Sequence, residues 1–428
     1  MKATKTSVSL MLAGLMVSTT AMAAQVTFTK DVLPILQENC QTCHRPGGDN
    51  MSGMIAPMSL MDYQETRPWA KAIMKAVENK TMPPWHAGEK FNGHFSNERT
   101  LTAEEIATVV AWVKTGAKRG NPADAPAPIE FREGYFMGEP DLVINFNEPF
   151  FVKDDVQDLY YNETVTITDE MMPEDKFITN VEFIPGSEVV HHIIAYASDP
   201  EAEYITEIGE NEDLEGGEEE RLRGRTMLGG LAPGTDAGYY PEGFAFPIKQ
   251  GSEITFAMHY HKEAGPGTGV YDDSTMAMKF ATGTPRHSMN FTTIAHGAFE
   301  IPPGVDNWVV SGARTFEEDI LLLNLFPHTH LRGVASTYTA YYPDGTVEEL
   351  LETPNYDFNW QEYYYYKEPK LIPAGTRIEV ELVYDNSPEN AERVGFDSSR
   401  AVSFGGPTTD EMDLGWYTYS NAKPDLSD

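Results

Sequence analysis

From Asp141 onward the sequence breaks into short apolar or alternating runs punctuated by glycine and proline. DLVINF, ETVTI, KFITNVEFI, VVHHIIAYA, EITFAMHY and TMAMKFA form one series; FTTIAHGAFEI, NWVVSGARTF, LLLNLFPHTHL, STYTAYY, RIEVELVYD and GWYTYS form a second. Alternation with β-branched and aromatic residues marks strands, and helical periodicity is scarce here. Pro343-Asp344-Gly345 makes a clear turn. Two such series predict two antiparallel β-sandwiches that meet near residues 285–295.

Of the 11 histidines in the chain, six fall in three tight clusters inside this β-region: His191-His192, His259-x-His261 and His328-x-His330. Residues i and i+2 of a strand project from one face, so each His-x-His pair offers two imidazoles to the same side. Neutral imidazole is a common ligand for copper, zinc and iron. One pair alone is explained by hydrogen bonding; three clusters on apolar strands point to metal. Adjacent His191 and His192 cannot both face inward from a regular strand, so a bulge or a strand end is required there.

The chain has only two cysteines, in Cys40-Gln41-Thr42-Cys43-His44. CxxCH is the attachment signature of c-type haem, with both thiols bound to the vinyl groups and the histidine an axial iron ligand. A thiol–disulfide exchange motif is the competing reading, but the adjacent histidine and the helical lead-in FTKDVLPILQENC argue against it. A methionine is expected as sixth ligand because it raises the haem potential. The segment's resemblance to small c-type cytochromes, which carry it in the loop before a C-terminal helix, implies Met82, in the Pro-rich loop after the helix RPWAKAIMKAVEN. Met51, Met54, Met58, Met61 and Met74 are also available, and His86 and His94 lie nearby. Thr102 caps a final helix, TAEEIATVVAWVKTGA. Residues 26–120 resemble small c-type cytochromes throughout. The stretch GNPADAPAP then reads as a linker.

Residues 1–23 carry Lys2 and Lys5, the apolar LMLAGLMV and Ala21-Met22-Ala23, the pattern of a secretory signal peptide. A secreted protein is expected, periplasmic if bacterial, with no membrane span. The net charge of −35 argues against nucleic acid and anionic membrane surfaces as partners. Eight of the fourteen residues from Glu207 to Glu220 are acidic, which reads as a solvated loop. The expected organisation is therefore mainly β with a small all-α domain: signal peptide 1–23, helical cytochrome domain 24–120, linker 121–138, and β-sandwiches over 139–288 and 289–428.

VVHHIIAYA, YYPEGFAFPI, MHYH, FPHTHLRG and DEMDLGWYTY follow one another in an order that resembles the copper type II monooxygenases. That family includes peptidylglycine α-hydroxylating monooxygenase and dopamine β-monooxygenase, and the similarity spans roughly residues 140–420. The resemblance implies two jelly-roll domains, each holding one copper across an open cleft. It implies His191, His192 and His259 as ligands of an electron-transfer copper, and His328, His330 and Met412 as ligands of an oxygen-activating one. His261, on the same strand face as His259, competes for the first site. The resemblance also implies a small-molecule substrate, dioxygen and an external electron donor as partners.

Departures bear on the substrate. Where the peptide-amidating enzyme holds a carboxylate with arginine, asparagine and tyrosine, this chain has Phe326, Leu414 and Trp416. The expected substrate is accordingly apolar or aromatic. Hydroxylation of a C–H bond needs two added electrons, and a fused haem c would feed them singly. A haem and copper carrier without oxygenase activity is the alternative.

Overall fold

The computed structural model describes residues 25–46, 56–131, 134–201, 225–232, 235, 238 and 240–426. The signal-peptide stretch 1–23, Met51, Met54 and the acidic run Glu207–Glu220 lie outside the described residues. The N-terminal unit is helical. A π-helical turn, Phe28–Val32, leads into α1, Leu33–Asn39. Phe28, Val32, Ile35 and Leu36 recur at helical spacing and are buried. They pack with Val77 of α2 (Ala70–Glu78) and with Val109 and Trp112 of α3 (Ala103–Lys114). Thr102 and Glu105 form the expected capping box at the start of α3.

The rest is mainly β, in two halves of eight principal strands. The first half holds β1 (Leu142–Asn145), β2 (Asp158–Thr166), β3 (Lys176–Ile184), β4 (Val190–Ser198), β5 (Arg225–Leu231), β6 (Phe244–Ile248), β7 (Glu253–His261) and β8 (Thr275–Phe280). The second holds β9 (Asn290–Ala295), β10 (Trp308–Thr315), β11 (Ile320–His328), β12 (Gly333–Tyr341), β13 (Val347–Thr353), β14 (Tyr364–Ile372), β15 (Arg377–Tyr384) and β16 (Leu414–Asn421). The strand orders are β1-β8-β3-β6 and β2-β7-β4-β5 in the first half, and β9-β16-β11-β14 and β10-β15-β12-β13 in the second. Each half thus repeats one plan, and the result is four blade-like sheets whose neighbouring strands are mostly distant in sequence. The short strand His287–Ser288 adds to the β6 edge in parallel.

The sheet β9-β16-β11-β14 is covered on both faces. Ile320, Leu322, Leu325 and Tyr417 join the core of the second half, while Leu323, Phe326, Leu414 and Trp416 join the core of the first. Burial on both sides explains why β11 reads ILLLNLF rather than alternating with polar residues. The pairing of β11 with β16 shifts register at Leu323, a β-bulge. Leu321 and Leu323 face the first half before the bulge, and Phe326 after it. The bulge therefore changes which parity faces inward and sets the direction of His328.

Within the expected 24–120 unit, one segment packs outward. Phe95 is fully buried among Trp85, Phe91, Tyr364 and Tyr366. Ser96 N donates to Tyr365 O at 2.8 Å, Lys367 N to His94 O at 3.1 Å, and Gly88 N to Glu352 O at 2.8 Å. The segment lies along β14, otherwise the edge of its sheet, and covers an edge that would offer unpaired backbone groups. Lys90 adds ion pairs to Glu349 and Glu352. The Trp85–Arg99 segment of the N-terminal unit is thus docked onto the second half. No helix among the described residues is long and apolar enough to cross a membrane.

Truncating Phe95 to alanine should cost about 3–5 kcal/mol, the usual range for a buried phenylalanine. Chemical denaturation should show that loss, and limited proteolysis should cut the Trp85–Arg99 segment faster than in the wild type.

Candidate functional site

The first histidine cluster forms where β4 meets β7. His192 pairs directly with His259, and the register slips between Val190 and His192. His191 is the extra residue of that bulge, which lets both neighbouring imidazoles turn to the same side. Candidate ligand atoms of His191, His192 and His259 all lie within 4.8 Å of one another. His259 is fully buried, and its ring lies flat against Tyr160, centroids 4.4 Å apart and 1° from parallel.

A carboxylate settles the hydrogen placement on His259. Asp158 Oδ1 lies 3.0 Å from His259 Nε2, and a carboxylate can only accept, so Nε2 carries the hydrogen. Nδ1 keeps its lone pair, is buried, and has no hydrogen-bond partner. An orphaned buried acceptor beside two further imidazoles fits a metal ion. His261 is half exposed; its Nδ1 shares the same Asp158 oxygen at 3.0 Å, and it stands outside the triad.

The second cluster sits at the end of β11. His328 Nδ1 lies 2.6 Å from Gln361 Oε1, and His330 Nδ1 3.2 Å from the Asp410 carbonyl. Both oxygens accept here, so each imidazole keeps a free Nε2. The two rings are 5.3 Å apart and nearly perpendicular. His330 N and Arg332 N donate to the two oxygens of Glu411 at 2.8 and 2.7 Å, which ties this turn to the residue before Met412. Glu411 is fully buried; burial pushes its carboxyl up to about 8, against the pull of the Arg332, His330 and Met412 amides and the Arg332 charge. Arg332, also fully buried, donates to Asn386 Oδ1, Thr409 O and Asp397 O. Tyr384 OH donates to Met412 O at 2.6 Å.

One cavity of about 190 Å³ joins the two halves. His192, Met227 and Leu231 line it from the first; His328, His330, Met412, Phe326, Tyr363, Leu414 and Trp416 line it from the second. Met412, Leu414 and Trp416 alternate along the chain and so share this face. Phe326 stacks on Tyr363 with centroids 4.4 Å apart. His191, His192 and His259 thus form one group, His328, His330 and Met412 line the cavity from the other half, and the three positions expected to be apolar line it with them. The clusters do not face each other only across open space: Phe358 stacks on His191 at 5.3 Å and meets His330 edge-on at 6.0 Å. Asp158, Gln361, Phe358, Glu411 and Arg332 carried no spacing signal in the sequence; an acidic residue directly before Met412 was the one available hint.

In the helical unit, neither Cys40 nor Cys43 is in a disulfide. Burial, then the neighbouring Cys43 and Glu105, push the Cys40 thiol up to about 12. His44 Nδ1 lies 3.2 Å from the Met58 carbonyl, which leaves Nε2 for iron. Met82 lies in the loop after α2, 44% exposed. His94 and Phe91 are in ring contact on the docked segment, and burial lowers the proton affinity of His86, also there, against the pull of the Asp357 charge.

Residues 34–117 match the family model described as Cytochrome c. The N-terminal unit is a cytochrome c domain. Its motif supplies haem c and the capacity for electron transfer. No curated protein matches the chain. Among solved structures, the infectious bursal disease virus VP2 subviral particle aligns at 11% identity, covering 66% of this chain and 72% of that one, with a TM-score of 0.20. An oxalate decarboxylase studied for proton-coupled electron transfer aligns at 6% identity over 72% and 88%, with a TM-score of 0.14. Likenesses this low carry no argument about the β-halves.

Two outcomes follow for the first cluster. His259→Ala should weaken metal binding there by more than about 100-fold and His261→Ala by less than about tenfold, read by chelator competition. Burial, first of all, lowers the proton affinity of His191, His192, His259, His328 and His330, with His191 pushed down to about 3. Below the ordinary value of 6.5 the unfolded chain takes up protons that the folded chain refuses. The metal-free protein should therefore lose stability as pH falls from 6.5 toward 3, measured by denaturant midpoints across that window.

Proposed function

We propose that the chain is a haem-fed copper monooxygenase that inserts one oxygen atom from O2 into a C–H bond of a small apolar or aromatic molecule: R–H + O2 + 2e⁻ + 2H⁺ → R–OH + H2O. The observation that carries this reading is a largely apolar cavity lined by His328, His330 and Met412 from one half and, from the other, by His192, a member of the three-histidine group. Copper bound at these groups would pass single electrons and activate dioxygen. Softness of the Met412 thioether favours Cu(I) at the second group, and three imidazoles at the first suit an ion that alternates between its two oxidation states.

The chain's own residues supply the rest. Asp158, Gln361 and the Asp410 carbonyl hold the imidazole tautomers that leave lone pairs for metal. Phe326, Tyr363, Leu414 and Trp416 bury an apolar substrate beside His328, His330 and Met412 and keep water from it. The strand plan supports reading both halves as jelly rolls: strands 1, 8, 3 and 6 form one sheet and strands 2, 7, 4 and 5 the other, twice over. Met82 serves the haem as sixth ligand, and an external donor re-reduces it. The site of action is outside the cytoplasm, the periplasm if the source is bacterial.

Met412→Ile should abolish dioxygen consumption by the reduced, copper-loaded chain while leaving the denaturation midpoint close to that of the wild type. The wild type, offered a panel of small aromatic and aliphatic compounds, should give a product heavier by one oxygen. Retention of turnover in Met412→Ile would remove the thioether from the mechanism.

A further inference from the structure

The loop between β13 and β14, residues 354–363, contacts both β-halves and the docked Trp85–Arg99 segment. Tyr356 OH accepts from Thr329 N at 3.2 Å and donates to Thr329 O at 2.9 Å, gripping the turn between His328 and His330. Gln361 holds His328. On the side of the cytochrome segment, the Arg99 guanidinium lies over the Trp360 ring at 5.8 Å. The loop is internally braced: Trp360 N donates to Asp357 O, and Gln361 Nε2 to Phe358 O, at 2.9 and 3.0 Å. Phe358, within this loop, contacts both clusters. Its ring lies 20° from parallel on His191 and 85° from parallel against His330.

Resting on the copper reading above, we propose that Phe358 bridges the two metal sites: its ring sets their separation and carries the electron that passes from the three-histidine site to the thioether site. In that step the first site is oxidised by one electron and the second reduced by one. No bond to the ring forms or breaks, and the haem returns the electron to the first site. Phe358 is a positioning residue, since it touches the ligands and not the ions. A contact filled by water would leave the separation of the halves to thermal motion; a ring packed on an imidazole of each cluster restricts that freedom.

The test uses the full chain with haem, loaded with copper, as wild type, Phe358→Leu and Phe358→Tyr. Copper per chain is counted first, and two ions are expected in each. In the fully oxidised protein, pulsed EPR of the Cu(II)–Cu(II) pair should give a narrow distance distribution for wild type and Phe358→Tyr and a broad one for Phe358→Leu. After one-electron reduction through the haem, freeze-quench EPR should follow one Cu(II) signal growing as the other declines. That transfer should slow by about tenfold or more in Phe358→Leu and recover to within about threefold in Phe358→Tyr. Equal rates and equal distances in Phe358→Leu and wild type, with two coppers in each, overturn the proposal. Fewer than two coppers in the wild type overturns the copper reading itself, and the proposal with it.

Discussion

A strand can present only every second residue to one side, and both histidine clusters depend on how this chain departs from that rule. His191 and His192 are consecutive, so a regular β4 would aim them at opposite faces. The slip between Val190 and His192 turns both toward His259. In β11 the slip at Leu323 exchanges the faces, so that Phe326 points toward the first half. Undoing that bulge would move Phe326 and His328 to the opposite face and leave the cavity without its second cluster. Two single-residue irregularities, one in each half, therefore decide whether there is a shared site at all.

Holding the second cluster in place requires polar groups in a dry setting. Arg332 and Glu411 are both fully buried, and each satisfies backbone groups rather than relying on the other, 3.9 Å away. Glu411 accepts the amides of His330 and Arg332; Arg332 gathers the carbonyls of Thr409 and Asp397. An isolated buried ion pair adds little stability, because desolvation offsets attraction. Here the pair fixes two turns, 328–332 and 409–412, against each other, and those turns carry His328, His330 and Met412.

Much of this was legible in the sequence, and the rest was hidden for definite reasons. The histidine clusters, the need for a bulge at His191-His192, the haem motif and the capping box at Thr102 were all readable from spacing. Four strands were not. β5 holds Gly229 and Gly230, β6 holds Pro247, β14 holds Pro369, and β13 reads VEELLET, so each carries residues that propensity disfavours in strands. Their tertiary setting overrode that preference. The docking of Trp85–Arg99 was hidden too, because its aromatics, Trp85, Phe91 and Phe95, are spaced for neither a helix nor a strand. Their partners, Tyr364 and Tyr366, lie far along the chain.

The two clusters also differ in what stands behind them, and this asymmetry bears on the direction of electron flow. His259 is backed by the carboxylate of Asp158, which raises the basicity of the imidazole it holds. His328 and His330 are backed by neutral oxygens, the amide of Gln361 and the carbonyl of Asp410. A more basic, anion-backed set stabilises the more highly charged ion, whereas neutral backing with a thioether favours the less charged one. On the copper reading, an electron delivered to the first site is thus held less firmly than at the second. On that reading the gradient would run from the histidine-only cluster toward the cavity wall of Phe326 and Trp416, where the substrate would lie.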